Sequence, residues 1–134
     1  MATFREAIYK ILQDDAKLTG AGQLGTLLGH SATAPYGVFF HHPPAEPSLP
    51  LITYFINAQS GRMPRDIFIN VTAWGNNYEA VLNRVHTLLH DTRLTITDFV
   101  PLMLKWEGAG AELWDDDLKC YYRQDRYWAR VIKE

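Results

Sequence analysis

Apolar positions recur along this chain with two periods, and each period names an element. Phe4, Ala7, Ile8, Ile11 and Leu12 return every three to four residues. That spacing gathers them on one face of a helix, while Arg5, Glu6, Lys10 and Gln13 point elsewhere. Thr3 and Glu6 supply a T-x-x-E capping box at its start, the hydroxyl accepting from a free N–H of the first turn while the glutamate reaches back. The helix is expected to fade near Leu18, with Gly20 as its stop. Further on the period becomes two. Leu51, Thr53 and Phe55 alternate with Ile52, Tyr54 and Ile56, and Ile67, Ile69, Val71 and Ala73 alternate with Phe68, Asn70, Thr72 and Trp74. These runs, Leu51 to Ala58 and Ile67 to Trp74, flank the charged stretch Gln59 to Asp66, so they predict an antiparallel hairpin with a long loop. Gly75 ends the second run. Asn76 and Glu79 repeat the capping-box spacing, and Tyr78, Val81, Leu82, Val85, Leu88 and Leu89 form the buried stripe of a second helix from about Asn77 to His90.

Shorter runs complete the pattern. Tyr36 to His41 (YGVFFH) is aromatic and strand-like, and it runs into PPAEPSLP, an extended connector stiffened by its prolines. The connector lacks the flanking basic anchor expected of a P-x-x-P ligand. Leu94 to Ile96 predicts a short strand. Leu102 to Trp106 and Glu112 to Trp114 flank EGAGA, which predicts a second hairpin. Asp115, Asp116 and Asp117 read as a solvated turn before a long strand, Lys119 to Ile132. The sum is an α+β fold: a mostly antiparallel β-sheet of about five strands with two amphipathic helices packed on one face. Its 134 residues fit a single domain over residues 1–134.

Composition narrows the function classes. A net charge of −2 excludes a generic polyanion binder. One cysteine, Cys120, allows no internal disulfide framework. The opening MATFREAIYK carries charges where a signal peptide needs an apolar core, and no apolar run reaches the roughly 20 residues that span a bilayer. A small soluble protein made in the cytosol, without a membrane segment, is expected.

Several strings imitate chemistry and lack its context. Gly20-Ala21-Gly22-Gln23-Leu24-Gly25 matches the dinucleotide fingerprint G-x-G-x-x-G, but it follows a helix where the fingerprint needs a strand. Residues 26–35 make a poor helix, so the stretch reads as a flexible glycine loop. Gly29 to Thr33 imitates a nucleophile elbow without its closing glycine or its strand-to-helix turn. His86 and His90 have the spacing of two metal ligands on one helical face, yet no H-E-x-x-H exists, and both are expected in solvent opposite the apolar stripe. His41 and His42 would point to opposite sides of a strand. The aspartate triplet lacks the spacing of a calcium loop. No catalytic, metal or cofactor site is expected.

The distribution of charge is more informative. Glu107 to Leu118 holds five acids and no bases, and Lys119 to Glu134 holds five bases and two acids. The two stretches can pair within one subunit, or they can be unlike halves of a head-to-tail contact between copies. Six Phe, seven Tyr and four Trp exceed what one small core needs and favour buried protein–protein surface.

Four segments, in this order, carry a likeness. They are FREAIYKILQDDAKLTG, PLITYFINAQSGRMPRDIFINVTAW, NNYEAVLNRVHTLLHD and DDDLKCYYRQDRYWARV. Together the chain resembles the tail-terminator, or tail-completion, family of long-tailed bacteriophages. The likeness covers nearly the whole chain through patterns of hydrophobicity and element order. It leaves the glycine stretch and PPAEPSLP unexplained. The resemblance implies a non-enzymatic ring, a homo-hexamer at the tail–neck junction of the virion, assembled in the host cytoplasm. Its implied partners are the tail tube protein and the head connector or stopper protein, with DNA passing through the hole without sequence-specific binding. The candidate contact loop then holds Arg62, Met63 and Arg65. The candidate subunit interface holds Trp114, Asp115, Asp116, Asp117, Arg123, Arg126, Trp128 and Arg130. The alternatives are another connector or stopper of the neck, and, third, a small nucleotide- or metal-dependent enzyme.

Overall fold

The computed structural model describes residues 3–29, 36–45, 48–58, 65–97 and 99–132. Helix α1, Phe4–Ala16, begins where the capping box places it: Thr3 is the N-cap, and its hydroxyl accepts from the Glu6 N–H at 3.2 Å. Ile8 and Leu12, on the predicted apolar face, are fully buried. Burial of such a side chain contributes about 1.5–3 kcal/mol.

The glycine stretch departs from expectation. It makes a turn and then a short helix α2, Leu24–Leu28, in place of a flexible loop. Five residues cannot hold a helix by propensity, so its packing holds it. Leu24 and Leu28 join the core, and the Leu24 N–H donates to Asp15 Oδ2 at 2.9 Å. Gly25 explains the close approach. A Cβ there would lie 2.0 Å from the Leu18 carbonyl oxygen and 2.6 Å from that of Ala16, so only glycine lets α2 pack against the end of α1. Gly22 serves differently: its φ of +78° forms the turn.

A six-stranded sheet lies beneath the helices, formed by β1 (Val38–Phe40), β2 (Leu51–Ala58), β3 (Arg65–Trp74), β6 (Lys105–Ala109), β7 (Leu113–Asp115) and β8 (Cys120–Val131). The order is β1-β2-β3-β8-β6, with β7 also on β8. All of β2 pairs antiparallel with Ile67 to Trp74 of β3, Leu51 opposite Trp74 and Ala58 opposite Ile67, as the two alternating runs require. β1 is shorter than predicted and pairs parallel to β2, which makes the sheet mixed. Ten residues, 41–50, join these two parallel strands. His41 follows β1 with a φ of 74°, so the His41–His42 pair does not sit in a strand. Helix α3, Tyr78–Leu89, follows β3. Its cap is Asn77 and not Asn76, and the Asn77 side chain donates to the Leu27 carbonyl at 2.7 Å, tying α3 to α2 instead of closing a capping box. A small second sheet pairs β4 (Arg93–Leu94) with β5 (Leu102–Met103).

The expected hairpin around EGAGA does not form. β6 and β7 lie one after the other along the same edge of β8, with a register shift between Trp106 and Gly108. Gly110 continues the ladder between them by donating to the Gln124 carbonyl at 2.7 Å. The real hairpin turn is residues 116–119, between Asp115 and its partner Cys120.

The helices cover one face of this sheet. Ile52, Tyr54, Ile67, Ile69, Val71, Ala73, Tyr127, Ala129 and Val131 point into the core with the stripes of α1 and α3. The opposite face carries Thr53, Phe55, Phe68, Asn70, Thr72, Trp74, Tyr122, Gln124, Arg126 and Trp128, following the alternation of the paired strands. It is a layer of rings and amides. Trp74 Nε1 donates to Thr53 Oγ1 at 2.9 Å, Thr72 donates to Gln124 at 3.2 Å, and the Trp74 ring stacks on Tyr122 at 4.4 Å.

Candidate functional site

The turn at the tip of the β7–β8 hairpin gathers one half of the expected interface. Asp115 Oδ1 accepts from the Leu118 N–H at 2.8 Å and so tightens the turn, while Lys119, at φ 55°, completes it in the left-handed region. Asp116 and Asp117 are exposed, as the solvated-turn reading requires. Trp114 Nε1 donates to Asp116 Oδ1 at 3.0 Å, and the Trp114 ring meets Tyr121 edge-on at 4.8 Å. Trp114 is 48% exposed and Leu113 50%. Among the described residues no cation pairs with Asp115, Asp116 or Asp117. The tip is therefore an acidic turn carrying uncovered apolar rings.

The basic half is not a single patch. Arg126, Trp128 and Arg130 lie on the open face of β8, whereas Arg123 lies on the helix face opposite Ala73. Each arginine has an internal carboxylate. Arg123 Nε is 3.3 Å from Asp125, Arg126 Nη1 is 3.8 Å from Glu107, and Arg130 Nε is 3.5 Å from Asp66. The expected basic strand thus splits by strand parity, and its charges are met inside the subunit. Arg126 also lies over the Phe68 ring at 4.5 Å. Trp128 and Phe68 line a shallow hollow of ≈ 300 Å³ with Asp66, Lys105 and Glu107. The acidic turn and Arg126 are separated along β8 by six residues beyond Cys120, about 20 Å at strand rise.

On the helix face, Asp125 is buried beside Arg123 and Tyr127. Burial raises the Asp125 carboxyl above its ordinary value, and the Arg123 guanidinium offsets only part of this. Burial raises the Tyr127 phenol as well, so it stays protonated. The two helix histidines lie along this seam and are only partly in solvent, where the sequence predicts full exposure. His86 and His90 are both partly buried, their rings 4.8 Å apart, and Trp106 packs edge-on against His86 at 5.5 Å. His90 Nδ1 accepts the Trp106 backbone N–H at 2.9 Å. The reason is β6, which lays Trp106 along the flank of α3 that helical periodicity alone leaves open. Among the described residues no group of three or more His, Cys, Asp or Glu side chains is placed to hold a metal ion.

Arg62 and Met63 lie outside the described residues, and of Arg65 only the backbone, as the first residue of β3, is described. Sequence reading missed Leu113 and Tyr121, exposed beside Trp114. Their signal was available as apolar side chains flanking a turn. Sequence reading placed Tyr78 in the apolar stripe of the helix without its hydroxyl's bond to Glu112, which anchors the break between β6 and β7 to α3.

No model of a known protein family matches the chain, and neither does any curated protein sequence.

Proposed function

We propose that the chain is a structural virion protein that caps a tail tube as a ring of six copies, ends tube polymerisation and joins the tail to the head connector. The observation that supports this reading is the placement of uncovered apolar side chains. Of the described large apolar side chains at least 41% exposed, Leu18 lies after α1, and the other six, Met103, Trp106, Leu113, Trp114, Tyr121 and Ile132, fall within the last third of the chain. Large apolar groups beside acids that have no cationic partner among the described residues, as Leu113, Trp114 and Tyr121 stand beside Asp116 and Asp117, suit a subunit contact. The acids then set register and partner choice, and the rings supply the affinity.

In this reading the protein has no catalytic role. The loop holding Arg62, Met63 and Arg65 contacts the tube or a neighbouring copy, because contacts concentrate on loops carried by rigid strands. DNA passes through the hole without base-specific contacts. The runner-up, a connector or stopper of the neck, differs in what fails when the protein is removed. Deleting the gene in a particle-producing host and imaging the lysate by electron microscopy separates the two. A terminator leaves tails of uncontrolled length. Normal-length tails beside DNA-filled heads would assign the chain to the connector side instead.

A further inference from the structure

A cleft of ≈ 620 Å³ opens between the first turn of α1 and the β1–β2 edge, lined by Thr3, Arg5, Glu6, Tyr9, Phe40 and Tyr54 among others. Its volume lies within the roughly 300–1,000 Å³ typical of binding pockets. Its floor is aromatic. Tyr9 and Tyr54 stack with centroids 6.3 Å apart, and Phe40 meets Tyr54 edge-on at 5.3 Å. Its charge is cationic at the centre, where the Arg5 guanidinium lies 4.0 Å over the Phe40 ring. Among the described residues no carboxylate forms an ion pair with Arg5. Glu6, the acid at the rim, is held back along the helix by the Thr3 hydroxyl at 3.3 Å. Burial raises the phenols of Tyr9 and Tyr54, so both remain hydrogen-bond donors across physiological pH. The Tyr54 hydroxyl is already met by Arg5 within the subunit, so a cation, the Tyr9 phenol and an aromatic floor remain, and these suit a segment that presents carboxylates next to an aromatic ring.

The β7–β8 tip is such a segment. Asp116 and Asp117 lack cationic partners among the described residues, and Trp114 and Tyr121 stand uncovered beside them. The two features also lie at opposite margins of one sheet. The order β1-β2-β3-β8, with β7 beyond β8, puts four strand spacings between them, about 19 Å. The tip therefore does not meet the cleft of its own subunit, and unlike patches at opposite margins are the geometry of a head-to-tail contact. We propose that the cleft beside α1 receives the acidic β7–β8 tip of a second copy, with Arg5 facing Asp116 and Asp117 and the Trp114 ring entering against Phe40 and Tyr9. This inference rests on the ring reading and names the surface that completes it.

Two variants, each with one added cysteine, test it. Glu6→Cys places a thiol at the rim of the cleft and Asp117→Cys places one on the tip, both at exposed positions; the native Cys120 is buried. A short bismaleimide added to a mixture of the two should join unlike copies at least tenfold more than it joins either variant alone. Adding Arg5→Glu to the first variant should abolish that product, and adding Asp116→Arg to the second should restore it. Circular dichroism melts of each variant confirm that the copies are folded. If wild-type protein forms rings by native mass spectrometry and the mixture gives no cross-link above the single variants, the cleft is not the seat and the ring stands on another surface. If neither rings nor cross-links form even with tail tubes present, the ring reading falls and takes this inference with it. A link formed within one chain that carries both Glu6→Cys and Asp117→Cys would equally overturn the contact between copies.

Discussion

Asp15 and Arg84 join α1, α2 and α3, and breaking that junction has a calculable cost. Asp15 Oδ2 accepts from Arg84 Nε at 2.9 Å and Oδ1 from Arg84 Nη2 at 2.7 Å, while Oδ2 also accepts the Leu24 N–H at 2.9 Å. The aspartate is 5% exposed and the arginine 27%. Asp15→Asn keeps the shape and an oxygen for Leu24, but it removes the charge and sets an amide N–H₂ against the guanidinium. Breaking a fully buried pair from one side costs about 3–5 kcal/mol, and the partial exposure of Arg84 lowers the expected loss to about 2–3 kcal/mol. Urea unfolding should then show a midpoint lowered by about 1–2 M with an unchanged slope. Arg84→Met should cost a similar amount, since it strands the Asp15 charge. The double variant Asp15→Leu/Arg84→Met should lose clearly less than the two single losses added, because residues in one ion pair are coupled.

The pH dependence gives an independent reading of the same pair. Burial by itself raises the Asp15 carboxyl. The Arg84 hydrogen bonds, the Leu24 N–H and the arginine's charge outweigh it and hold the group below its ordinary value of 3.8. A group depressed on folding contributes stability that is complete above its unfolded value and is lost as pH falls through the folded one. The gap between wild type and Asp15→Asn should thus be full at pH 7 and shrink steadily below about pH 4. An Asn variant within about 0.5 kcal/mol of wild type at pH 7, or a gap unchanged at pH 3, would refute the buried-pair reasoning.

Gly25→Ala should destabilise strongly despite the better helix propensity of alanine, because its Cβ meets the backbone of residues 16 and 18, whereas Gly22→Ala should cost only the about 1–2 kcal/mol of a left-handed residue. Equal effects in thermal melts would mean that α2 does not pack as described. Titrating NAD or ATP into the protein should give no heat by calorimetry, since the fingerprint glycines build a helix contact; saturable binding lost in Gly22→Ala would reverse that assignment. Asp116→Asn/Asp117→Asn should leave the monomer's melting temperature within about 0.5 kcal/mol equivalent of wild type while copies dissociate at lower salt, as read by sedimentation velocity. Unchanged association across the salt series would remove the acidic tip from the interface.

What the sequence made legible was local, and what it hid was pairing. The Thr3 cap, the α1 and α3 stripes and the two faces of β2 and β3 all follow from residues within a few positions of one another, and the structure contains each of them. The turn at Asp115 to Asp117 was legible for the same reason. Helix α2 was not, because five residues are too few to register a period and its stability comes from Leu24, Leu28 and Gly25 against α1. The choice of strand partners was also hidden. Nothing within EGAGA states that both flanking segments will lie on β8, and nothing near Val38 states that β1 will run parallel to β2. The misplacement of Arg123 has a different origin. Its odd number sets it opposite Arg126 and Arg130 on any regular strand, so alternation carried the information and a count of charges discarded it. The cleft residues Arg5, Tyr9 and Tyr54 come from two distant segments, and only folding brings them together.

A tail tube with an open end decides the main reading. Purified protein is added to polymerising tube subunits, and the tubes are imaged by negative-stain electron microscopy with native mass spectrometry of the released caps. Tubes whose elongation stops on addition, each bearing a six-copy ring at one end, are the expected result. Tubes that grow at the same rate with bare ends, while the protein stays monomeric, would contradict a tail-capping ring.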